Sequence, residues 1–161
     1  MNKVKGFAPL VALLLLLGPV GLACAAGPVS PPPEERCGTC GMYVTPHADK
    51  WLAQIQFKDG TTVFFDGPKD LFVFYFDLAR HKPGARVEDV AAIYVTEYYS
   101  RKQMKIGEVF LVSGSDVHGP MGQELVPVAG RDQVDSFRRE HGGQKILQFN
   151  GSDLIATPLP Q

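Results

Sequence analysis

The stretch WLAQIQFKDGTTVFFDGPKDLFVFYFDLAR, residues 51–80, reads as strand, turn, strand and helix. From Trp51 to Lys58 the residues alternate: Trp51, Ala53, Ile55 and Phe57 face one way, Gln54, Gln56 and Lys58 the other. Asp59-Gly60 separates this run from a second one at Thr61 to Phe65, and an Asp-Gly pair between two such runs is a strong hairpin signal. Asp66-Gly67-Pro68 predicts a helix start, with Asp66 as the cap and Pro68 in the first turn. Lys69 to Arg80 is apolar nearly all round, so this helix should be packed deeply against the sheet. Lys82-Pro83-Gly84 closes the unit.

Downstream the pattern repeats. Residues 91–96 and 108–113 read as strands, a glycine-rich loop spans Gly114 to Gly122, and Glu124 to Val128 is a further strand. Arg131 to His141 predicts a helix ending at the left-handed cap Gly142-Gly143, and Lys145 to Phe149 a last short strand. At an offset of 62 residues, Lys69-Asp70 aligns with Arg131-Asp132, Val63 with Leu125 and Tyr75 with Phe137. The expected fold is therefore α+β: two small, similar strand-strand-helix units packed together, at residues 37–84 and 85–150, with 151–161 as a tail.

Upstream, residues 1–23 read as a signal peptide, with Lys3 and Lys5 ahead of the aliphatic run Leu10 to Leu17. Ala23-Cys24 resembles a lipobox junction, which would make Cys24 the lipidated first residue of the mature chain. Gly21 fills the usual lipobox leucine position, so ordinary cleavage near Ala23-Cys24-Ala25 is the other reading. Residues 24–36 carry the anchor and a proline-rich segment, expected to act as an extended spacer that lifts the domain from the membrane. The formal charge is −1, or −3 once Lys3 and Lys5 leave 14 basic against 17 acidic residues. No basic block remains to bind nucleic acid.

If Cys24 carries lipid, only Cys37 and Cys40 remain, within Cys37-Gly38-Thr39-Cys40-Gly41-Met42. A C-x-x-C disulfide closes too short a loop to add much stability, which makes the pair a candidate for metal or redox work. Copper(I) is a soft ion that prefers thiolate and thioether sulfur and accepts few ligands. If Cys40 to Tyr43 begins a strand, Cys40 and Met42 share a face about 6.5–7 Å apart, near enough to converge on one ion. Cys37 would fold back as the second thiolate. In His118-Gly119-Pro120-Met121-Gly122 an imidazole and a thioether sit in a loop that backbone can approach closely, so Met121 and His118 are further candidates, although a tight turn with Met121 as core filler explains the same residues. His141 has a structural explanation at a helix C-terminus.

Three other readings of the cysteines stand beside copper: an inert disulfide, half of a zinc site lacking two ligands, and a thioredoxin-like dithiol. The last would make the protein a periplasmic thiol–disulfide oxidoreductase using Cys37 and Cys40. Against it, Gly41 to Pro46 is a poor helix start, whereas such dithiols open a helix. No nucleophile–base or phosphate-loop pattern points to an enzyme.

In this order, Cys40-Gly41-Met42, Ala53-Gln54-Ile55, Asp59-Gly60, Phe65-Asp66, Gly119-Pro120-Met121-Gly122, Glu124-Leu125-Val126-Pro127 and His141-Gly142-Gly143 resemble the NosL copper lipoproteins associated with nitrous oxide reductase. The resemblance runs from about Cys37 to Phe149. It implies a small periplasmic lipoprotein of two α+β units that binds copper(I) and is not an enzyme. Its partners would be apo nitrous oxide reductase or a related copper enzyme, and an ABC-type membrane complex. The metal role would fall on Cys40 and Met42, with Met121 a candidate from the second unit.

Overall fold

The computed structural model describes residues 27–158; the signal peptide and the Cys24 junction lie outside them. Among the described residues no helix is long and apolar enough to cross a membrane.

A 3₁₀ turn at Thr45–His47 and a four-residue helix, α1 (Ala48–Trp51), come first, so Trp51 ends a helix rather than opening the strand. Strands β1 (Ala53–Phe57) and β2 (Thr62–Phe65) then form the expected antiparallel hairpin, with Ala53 opposite Phe65 and Ile55 opposite Val63. At its tip the Asp59 carboxylate accepts both the N–H and the hydroxyl of Thr61, and Gly60 takes φ +86°. Helix α2 (Pro68–Phe76) follows, broken at Asp77 from the short α3 (Leu78–His81). Strand β3 (Val90–Thr96) pairs with the free edge of β1, and β4 (Gln103–Lys105) with β3, giving the order β2-β1-β3-β4.

The second sheet contains β5 (Phe110–Ser115), β8 (Val126–Val128), β9 (Gly142–Phe149) and β10 (Leu154–Thr157), ordered β8-β5-β9-β10. Between β5 and β8 projects a two-stranded hairpin, β6 (His118–Gly119) and β7 (Gly122–Gln123). Helix α4 (Arg131–His141) joins β8 to β9 and ends on Gly142 at φ +72°. Each sheet thus has the same plan: strand, strand, helix, strand, strand, with the first strand flanked by the second and third. The α+β expectation of two similar units holds, and the repeat is larger than the sequence pattern suggested. Two assignments are corrected by the pairing. Strands β3 and β4, placed by the division at residue 84 in the second unit, complete the first sheet. The supposed tail carries β10, turned onto β9 by an Asn150 side chain that accepts the N–H groups of Ser152 and Asp153.

Helix α2 links the two sheets through a shared core. Leu71, Phe72, Phe74 and Tyr75 are buried in one cluster with Ile55 and Phe65 of the first sheet and Leu111 of the second. Phe149 of β9 packs against both Phe72 and Tyr75, with ring centroids 5.5 and 5.2 Å apart. The remaining face of α2 is open, with Val73 49% and Phe76 51% exposed, so the deep packing expected nearly all round holds for only part of the helix.

The proline-rich segment is not a free spacer over its described part. Gln54 and Gln56, on the polar side of the alternation, are buried under it. The Gln54 side chain accepts Val29 N–H at 3.1 Å and donates to Val29 C=O at 3.0 Å, while Gln56 donates to Gly27 C=O at 3.0 Å. Glutamine amides here pair with the segment's backbone as a neighbouring strand would, because a buried amide must find partners.

Candidate metal centre

The cysteine loop is a tight turn, not the start of a strand. Cys37 N–H donates to Met42 C=O at 2.8 Å, Gly41 N–H to Cys37 C=O at 2.9 Å, and Gly41 takes φ +76°. Beyond this turn only Arg36 and Tyr43 pair, as an isolated bridge. The expectation that Cys40 and Met42 share a strand face is therefore corrected: a left-handed glycine between them sets their relation. Arg36 braces the turn, donating to Gly41 C=O and to the Tyr43 hydroxyl with its guanidinium over the Tyr43 ring.

Two contacts lock the turn onto the hairpin–helix unit. Gly38 N–H donates to Phe64 C=O at 2.9 Å, and the Thr39 hydroxyl to Asp70 C=O at 2.7 Å. Together they carry the cysteines to the N-terminal end of α2, where Asp66 and Asp70 wait. The Cys37 thiol donates to Asp70 Oδ2 at 3.4 Å and the Cys40 thiol to Asp66 Oδ2 at 3.6 Å. One donor atom from each of Cys37, Cys40, Asp66 and Asp70 lies within 4.8 Å of the other three. Cys37 is buried, Cys40 is exposed, and both aspartates are buried, so the cluster has one face open to solvent.

Burial is the main force pushing the Cys37 thiol well above its ordinary range, and it raises Cys40 less strongly; the neighbouring carboxylates push in the same direction. Both thiols are thus protonated donors at neutral pH. Asp66 Oδ1 is buried with no partner, leaving an unused acceptor in the cluster.

Sequence reasoning missed the carboxylates. Asp66 was expected to cap α2, but the cap position belongs to Gly67 in extended conformation (φ −177°), and the Asp66 side chain turns to Cys40 instead. The cap comes from the other unit: Glu124 Oε1 accepts Lys69 N–H at 2.6 Å. A signal was present at Asp70, an acidic residue on a helix otherwise apolar nearly all round.

Of the other predicted candidates, Met42 is 37% exposed and adjoins the cluster through its backbone bond to Cys37. Met121 is 48% exposed at the turn between β6 and β7, not buried as core filler. Its carbonyl accepts Lys69 Nζ at 3.0 Å, which brings the second unit's hairpin to the first turn of α2, beside Asp66 and Asp70. His118 lies exposed on β6 opposite Gln123. His141 bonds Asp116 and the Tyr98 hydroxyl, away from the cysteines.

The family profile that matches this sequence is that of NosL, over residues 28–153. The chain belongs to the NosL family. The NosL match takes in Cys37, Cys40, both aspartates, Met42, Met121 and every strand of the two sheets except β10. A crystal structure of the copper chaperone NosL from Shewanella denitrificans has the same fold, with a TM-score of 0.63 at 18% identity, covering 77% of this chain and 93% of that one. No curated protein matches the chain.

Proposed function

We propose that this NosL-family protein is a copper(I) chaperone whose ion is held by Cys40 and Cys37 at the mouth of α2, with Met42 and Met121 supplying thioethers. The observation that carries the reading is the convergence of two thiols and two buried carboxylates on one half-open point. Copper(I) favours the sulfur donors, and each thiol must lose a proton to bind it. Asp66 and Asp70 accept hydrogen bonds from the two thiols, which holds both sulfurs at the point where the ion would enter. The opening on the Cys40 side lets a partner's thiolate, thioether or imidazole replace one ligand at a time, which is how a tightly held ion is handed on.

The likeness to a copper chaperone of the same fold supports the metal. Delivery to nitrous oxide reductase or a related copper enzyme, work with an ABC-type membrane complex, and a periplasmic site tethered through lipidated Cys24 complete the proposal. The thiol–disulfide oxidoreductase reading fits less well, because such enzymes lower a thiol's pKa whereas both thiols here are raised. One observation favours a second metal: two carboxylates provide the two ligands a zinc site at Cys37 and Cys40 lacked.

Titration of the reduced chain with copper(I) against a chromogenic chelator, repeated with zinc, decides between these readings. Cys40→Ser and Met42→Ala should weaken copper(I) binding, Cys40→Ser by more than the roughly 10–100-fold that loss of an outer-sphere partner costs. Parent-like affinity in both variants would sink the site, and a preference for zinc that depends on Asp66 and Asp70 would replace copper by the second reading.

A further inference from the structure

Hairpin β6–β7 belongs to neither large sheet, its two-residue strands pairing only with each other. It is fastened to the first turn of α2. Lys69 Nζ donates to Met121 C=O at 3.0 Å and to Gln123 C=O at 2.9 Å, straddling Gly122. The backbone N–H of the same lysine donates to Glu124 Oε1, which also takes Leu125 N–H at 2.9 Å. The other Glu124 oxygen is closed in by two glycines: a methyl at Gly119 would stand 2.8 Å from it, and one at Gly67 closer still. One residue of α2 thus holds both the tip and the base of the hairpin, between Asp66 and Asp70 of the cysteine cluster.

A helix cap and a packing contact between units would explain Glu124 alone. They do not explain why an ammonium group beside buried carboxylates spends its bonds on the backbone of a hairpin tip. Nor do they explain why the residue fixed there is a methionine whose side chain stays half exposed. Fixing the backbone removes most of the ordering entropy of bringing that thioether to a ligand, and the loose side chain keeps exchange fast.

We infer that Lys69 and Glu124 are positioning residues that hold Met121 over the Cys37–Cys40 centre, so that the second unit's thioether reaches an ion bound by the first. The inference rests on the copper(I) reading above.

The test measures copper(I) affinity of the reduced chain for Met121→Ala, Lys69→Met, their combination, Lys69→Arg and Cys40→Ser, with hydrogen exchange of residues 118–123 in the metal-free protein. Lys69→Met should weaken binding about 10–100-fold, as losing an outer-sphere partner does. The combination with Met121→Ala should be little worse than either single change, the mark of coupled residues. Lys69→Arg should restore most of the affinity, and exchange in the hairpin should quicken in Lys69→Met while the two sheets stay protected. Unchanged exchange, unchanged affinity, or losses that simply multiply would each overturn the inference. If Cys40→Ser weakens binding and Met121→Ala does not, this inference falls and the copper reading stands. If Cys40→Ser binds as the parent does, both fall.

Discussion

Asp66 shows how much a single side chain can hide. In sequence it stands before Gly-Pro and an apolar helix, where aspartate is a good cap, and nothing local says that its carboxylate points at a cysteine 26 residues earlier. Gly38 is the counterpart on the cysteine side. It lies against β2 and α2, and a Cβ there would sit 2.5 Å from Val63 Cγ1 and 3.3 Å from Phe65 Cε1. Gly38→Ala should therefore destabilise the fold by about 1–3 kcal/mol, in the range of an overpacked core position, and push the cysteine turn off α2. Denaturant unfolding of the metal-free chain measures the first effect. An unchanged midpoint would mean that Val63 can give way and that the turn is less tightly seated than these distances require.

At the scale of the element, α2 is capped from a distance, by Glu124 across the boundary between the units. Burial first, and then the nearby charge of Asp70, push the Glu124 carboxyl up to about 7, against the lowering effect of the Leu125 and Lys69 N–H groups and the Lys69 charge. Because this folded-state value exceeds the ordinary 4.5, the folded chain keeps a proton that the unfolded chain has lost between those two points. The associated stability is complete below pH 4.5 and declines as pH rises to about 7, by up to about 3 kcal/mol. Glu124→Gln should flatten that part of the stability–pH curve, which urea unfolding across the range would record. A variant curve as steep as the parent's would place the titration elsewhere.

Across the whole molecule, two sheets of equal plan share a core through α2, and residues 27–29 are part of that assembly. Gln54 is fully buried, and its amide joins Val29 to Gln103 of β4. Gln54→Ala strips partners from Val29 and Gln103 together, and should cost about 1–3 kcal/mol, the penalty for polar groups left unpaired by deletion. The Val29 amide should lose its protection against hydrogen exchange at the same time. Slow exchange at Val29 in the variant would show that other contacts hold the segment. With these residues docked, any tether through Cys24 would be shorter than a free proline-rich spacer of residues 24–36.

Much of this was legible from the chain. Alternation at 51–65, the Asp-Gly turn and the glycine cap after His141 depend on neighbours in sequence, and they gave the first hairpin, α4 and the α+β class. The cysteine pair was legible too, since its residue types and spacing carry their own chemistry. What needed the tertiary structure was everything set by partners far along the chain: the return of β3 to the first sheet, the burial of Gln54 and Gln56 beneath residues 27–29, and the second unit's cap on α2. The cluster at Cys37 and Cys40 belongs to both kinds. Its sulfurs are announced by the sequence, whereas its carboxylates arrive only when a turn and a helix start, about 30 residues apart, are packed against each other.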